Sequence, residues 1–172
     1  MISRKSAAQT YTVPRQRLVI ALDNSKDCLV ALNFALEHFP EGYSYHLVHI
    51  QPRPLASSIL ASTVAAPCAQ EGKRARDMEK TADTNRFMEE IFAPKARSAG
   101  AEAFALVLDS DSDSSSHIGA AICKYAEEIK PDALVMMRQN KPAISRFFMG
   151  SVTKYCADHS TVPTIIVPNR AA

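Results

Sequence analysis

At 172 residues, 47% of them hydrophobic, the chain is long enough to bury a single core and is expected to form one domain. A net charge of +2 with no long basic run argues against nucleic acid as a partner. No apolar stretch reaches the roughly 20 residues that cross a bilayer, and the N-terminus lacks the apolar segment of a secretory signal, so a soluble, cytoplasmic protein with no membrane contact is expected.

Residues 1–16 read as a disordered basic tail, with the domain at 17–169. Arg4, Lys5, Arg15 and Arg17 stand among serines with no acid, a composition that an organelle transit peptide shares. The four cysteines, Cys28, Cys68, Cys123 and Cys156, form no C-x-x-C pair and read as reduced thiols.

Arg17–Leu22 is an unbroken apolar run, the signature of a strand buried on both faces of a parallel sheet. Asp23-Asn24-Ser25 turns the chain into a helix with Leu29, Leu32, Leu36 and Phe39 on one stripe, stopped by Pro40 and Gly42. Tyr45–Ile50 is a second buried strand, and the prolines of Gln51-Pro52-Arg53-Pro54 close it. His46 and His49, at odd spacing, face opposite sides of that strand and cannot chelate one ion. Leu55–Gly72 has no firm period and reads as a mobile insertion, taken at about 51–72.

Lys73–Ser98 is an amphipathic helix in which Met78, Phe87, Met88, Ile91 and Phe92 are expected core contacts and Pro94 a kink or an early end. Ala103–Leu108 is the third strand, followed by a helix with Ile118, Ile122, Tyr125 and Ile129 on one face, ending before Pro131. Between them, Asp109–Ser116 resembles the start of a calcium loop. It fails where Ser114 replaces the required Gly and Ala120 the bidentate Glu, so a helix-capping loop is expected and no metal site. Asp132–Met137 is the fourth strand and Thr164–Val167, between Pro163 and Pro168, the fifth, at an edge.

Strands alternating with helices predict an α/β fold: an open five-stranded parallel sheet with helices on both faces, Rossmann-like, with ligands beyond the strand ends where the winding reverses. Gly150-Ser151 opens the helix after the fourth strand. Unpartnered N–H groups there favour an anion such as phosphate, and a plain N-cap fits the same residues.

Leu18–Ser25, Leu47–Ile50, Pro131–Met136, and Met149–Tyr155 through Pro163–Val167 together resemble the universal stress protein family, nearly everything from Arg17 to Pro168. The resemblance implies strand order 3-2-1-4-5, an adenine-nucleotide pocket between the first and fourth strands, and a homodimer through the strand Thr164–Val167. It places Asp23 near the adenosine, the backbone near Ile50 against adenine, and phosphates on Gly150, Ser151 and Val152. The family's two earlier glycines fall on Met137 and Asn140. Met137 is expected to narrow the pocket, and Asn140 tolerates the left-handed backbone at about 1 kcal/mol relative to Gly. Arg138, Lys141 and Arg146 either draw phosphates by charge or form a solvated loop.

Two functions follow from the resemblance. One is a stress-response module binding ATP or AMP, with or without magnesium, through an altered glycine motif. The other is a dimeric interaction or regulatory protein without nucleotide. No nucleophile beside a base and no P-loop lysine marks a dedicated catalytic site, so slow ATP hydrolysis is the most activity expected.

Overall fold

The computed structural model describes residues 16–23, 28–39, 42–52, 78–79, 81–138 and 150–168. The tail before Gln16, the Leu55–Gly72 stretch, Cys68, Asn140, Lys141 and Arg146 lie outside these residues. The described elements are β1 (Gln16–Leu22), α1 (Leu29–His38), β2 (Tyr43–Pro52), α2 (residues 81–98), β3 (Glu102–Ser110), α3 (Ser115–Ile129), β4 (Ala133–Arg138), α4 (Ser151–His159) and β5 (Thr164–Pro168). All four strand pairings are parallel and the order is β3-β2-β1-β4-β5, as expected. No helix among the described residues is long and apolar enough to cross a membrane.

β1 is central, and its unbroken apolar run serves both faces: Leu18, Val19 and Ile20 expose no surface. Leu18, Ile20 and Leu22 pack with Leu47, Val135, α1 and α2, while Val19 joins Val48, Leu134, Met136, α3 and α4 on the other face. The start of β1 is tied to the entry of β4 by reciprocal bonds. Arg17 N–H donates to Asp132 Oδ2 at 2.8 Å, Asp132 N–H donates to the Arg17 carbonyl at 2.8 Å, and the Arg17 guanidinium caps the Ile129 carbonyl. Tyr45 is wholly buried under α1. Its hydroxyl bonds the Phe39 carbonyl at the helix end, and burial pushes the phenol up to about 12.

Three expectations need correction. β2 does not stop at Ile50 but runs to Pro52. Its pairing with β1 ends at His49, while pairing with β3 continues to Pro52, so the prolyl nitrogen lies past the point where β1 needs a donor. Of the two outcomes expected at Pro94, a kink or an early end, the early end is not met. A π-helical turn at Met88–Phe92 shifts the hydrogen bonding, with Ala93 N–H on the Met88 carbonyl, and Pro94 then falls in the first turn of a renewed α-helix over Ala93–Ser98, where no N–H is needed. Met88 and Phe92 are buried as expected, but Met78 is 73% exposed, two turns or more ahead of the first core contact.

α3 and α4 approach closely at Gly119. A Cβ there would lie 2.5 Å from Tyr155 Cδ1, and Cys156 Sγ sits 3.7 Å from the Gly119 carbonyl. Gly119→Ala is therefore expected to destabilise the protein by about 1–3 kcal/mol through forced separation of the two helices. Urea unfolding of the variant checks this, and an unchanged midpoint would refute the packing account.

Candidate functional site

From β1 the chain winds through β2 to β3 with α1 and α2 on one face. It then returns through α3 to β4 and through α4 to β5 on the other. The direction of winding reverses between β1 and β4, whose carboxyl ends lie at Leu22 and Arg138, and in open parallel sheets such a reversal is the usual place for a ligand because neighbouring connections leave to opposite sides.

Asp23 follows the last residue of β1 and is half-buried. Its N–H donates to Cys28 Sγ at 3.2 Å, and the Cys28 thiol donates to Asp23 Oδ1 at 3.0 Å. Beside it His49, paired in register with Leu22, donates Nδ1–H to the Leu22 carbonyl at 3.0 Å. Burial lowers the His49 pKa, opposed by that bond and by the Asp23 charge, so the ring favours the neutral form. Ile50 is buried in the α3/α4-side core. Met137 is buried too, in the α1-side core with Leu22 and Cys28. The methionine in the family's glycine position is thus a packing residue of this protein.

On the α3/α4 face two helix starts meet. Ser151, first residue of α4, bonds through Oγ to Ser115 Oγ, first residue of α3, at 2.6 Å. Gly150 is the N-cap of α4, at φ −58° and ψ 148°, and its carbonyl accepts Lys154 N–H at 2.8 Å. Val152 packs on the core of that face. The Asp-Ser run is a capping loop as expected: Ser114 Oγ accepts His117 N–H at 3.3 Å and bonds its ring Nδ1 at 2.6 Å, while Ser112 Oγ takes Ser114 N–H. Among the described residues no group of three or more His, Cys, Asp or Glu is placed to hold a metal.

Of the expected site residues, Asp23 and Met137 stand at the ends of neighbouring β1 and β4, with Gly150, Ser151 and Val152 opening the next helix. Sequence reading missed Cys28, which had the pattern of a small core residue, and Ser115, which was one serine in a run of them. Nothing in their local spacing announces either contact.

The sequence profile of the Universal stress protein family matches residues 14–168. The chain belongs to the universal stress protein family. Solved universal stress proteins share the fold. The Archaeoglobus fulgidus protein aligns at a TM-score of 0.63 and 19% identity, over 88% of this chain and 98% of its own. Its complex with dAMP aligns at 0.55 and 19%, over 88% and 97%. An Arabidopsis thaliana family protein with AMP bound aligns at 0.57 and 19%, over 91% and 93%. No curated protein matches the sequence. At such identities the likeness establishes the fold of this universal stress protein, while the family rests on the profile.

Two outcomes are expected of the site residues. Met137→Gly empties a buried position in a strand and should cost about 3–5 kcal/mol in urea unfolding; a loss under about 1 kcal/mol would refute its core role. His46, hydrogen-bonded to the Tyr125 hydroxyl at 2.7 Å, is also lowered, first by burial and then by Arg17. Because both folded histidines titrate below their unfolded value of 6.5, the unfolded chain binds protons first on acidification. Their contribution is complete above that value and is lost as pH falls through the folded pKa. The urea midpoint should fall between about pH 7.5 and pH 5.5, with a shallower slope in His49→Gln; identical slopes would remove His49 from the account.

Proposed function

We propose that this universal stress protein binds an adenine nucleotide, AMP or ATP, between β1 and β4, beyond their carboxyl ends. Phosphates lie on the α4 amides of Ser151 and Val152, Asp23 takes a ribose hydroxyl, and adenine meets the backbone near Ile50. The observation that carries the reading is Gly150. Its φ of −58° suits any residue, and among the described residues a Cβ there would meet only Thr153 Oγ1, at 3.7 Å. Glycine serves α4 as its N-cap, and the open space beside it also lets a phosphate approach the first amides of the helix. Support comes also from the relatives with AMP and dAMP bound.

Met137 favours a second reading, a dimeric interaction protein without nucleotide, because its side chain stands where the family keeps glycine. Both readings include a homodimer through β5, an edge strand that pairs on one side with β4 and keeps Ile165 and Ile166 half-exposed.

Calorimetric titration of nucleotide-stripped protein with AMP and with ATP, with and without magnesium, decides between them. Micromolar binding, about 8 kcal/mol, is expected, weakened about tenfold or more in Gly150→Ala, whose poorer helix cap should cost no more than about 1 kcal/mol of stability. No heat from either nucleotide and none co-purifying would leave the interaction protein. Sedimentation of the same samples should give twice the 18.8 kDa chain mass, and a monomer would refute the dimer.

A further inference from the structure

We propose that Cys28 is a positioning residue for the Asp23 carboxylate, its single sulfur holding both the backbone N–H and one carboxylate oxygen of Asp23 just past the carboxyl end of β1. The inference rests on the nucleotide reading above and names a residue that sets how well the ribose is held. Ladder pairing of β1 with β2 ends at Leu22 and with β4 at Ala21, so the N–H of Asp23 is the first beyond the sheet. Cys28 Sγ accepts that N–H at 3.2 Å and donates its proton to Oδ1 at 3.0 Å.

The sulfur belongs to the packed core. Cys28 is 3% exposed and packed in the α1-side core with Leu22, Ala31 and Met137. Orientation therefore passes from the core through the thiol to one oxygen of the carboxylate, which is held relative to the last ladder pair. A thiol suits the position because it is apolar enough for the core and still carries one donor and one acceptor. The bonds to Asp23 come in addition to the packing of Cys28 in the core, so the two roles are separated by their effect on the carboxylate. Loss of the sulfur should harm recognition of the ribose hydroxyls and leave the rest of the nucleotide untouched.

The test compares wild type, Cys28→Ala, Cys28→Ser, Asp23→Asn and the double variant Asp23→Asn/Cys28→Ala, titrated with AMP and with 2′,3′-dideoxy-AMP. Cys28→Ala should weaken AMP about three- to tenfold and leave the dideoxy nucleotide unchanged, while Cys28→Ser, which keeps a donor and an acceptor, returns to within about twofold of wild type. The double variant should bind AMP no more weakly than Asp23→Asn alone. Equal loss for both nucleotides, or wild-type AMP binding by Cys28→Ala while Asp23→Asn is impaired, overturns the role of Cys28. Wild-type binding by Asp23→Asn overturns instead the ribose role of Asp23. Amide exchange of Asp23 in the nucleotide-free protein decides the thiol bond even if no nucleotide binds: protection in wild type and Cys28→Ser, lost in Cys28→Ala, supports it, and equal protection in all three overturns it.

Discussion

Burial of β1 on both faces and pairing along both edges is the constraint on which the molecule depends. A strand with Leu18, Val19 and Ile20 wholly enclosed has no polar face to offer water, so the chain must cover it with helices above and below. That requirement sends α1 and α2 to one side and α3 and α4 to the other. It also puts the helices that follow β1 and β4 on opposite faces, so the winding reverses at the centre of the sheet. The reciprocal bonds between Arg17 and Asp132 hold the other end of the same pair of strands and fix their register from there.

A second constraint lies between helices. With only a hydrogen at Gly119, the Tyr155 ring lies against the α3 backbone, and the two helices come near enough for Ser115 and Ser151 to bond at their starts. Packing in the middle of the helices thus sets how the starts of α3 and α4 lie against each other.

Most of the fold was legible. Unbroken apolar runs report strands buried on both faces, and three-four periodicity reports helices with one buried stripe, so β1, β4, α1 and α3 stand nearly where expected. The errors came where a breaker met a remedy outside its own spacing pattern. Pro52 is harmless because its neighbour strand has ended, and Pro94 is harmless because a π-helical turn precedes it. Met78 carried the right residue type at a position that no core reaches. The candidate site was half legible. Asp23 and Gly150-Ser151 are marked by their place at strand and helix ends, whereas Cys28 looked like any small residue inside a helix.

The sequence by itself determined the order of elements, which follows from periodicity and from the apolar character of short runs, and the family with its strand order, which follow from the resemblance of four segments in the right sequence. Tertiary structure alone decided that Met137 belongs to the core, that one sulfur holds both arms of Asp23, and that Ser115 and Ser151 share a bond. Met137, Ser115 and Ser151 reach partners many residues away in the chain, and the thiol of Cys28 reaches Asp23 from the packed core. Which groups come within about 3 Å of one another is settled by how the layers pack, a quantity that no local pattern encodes.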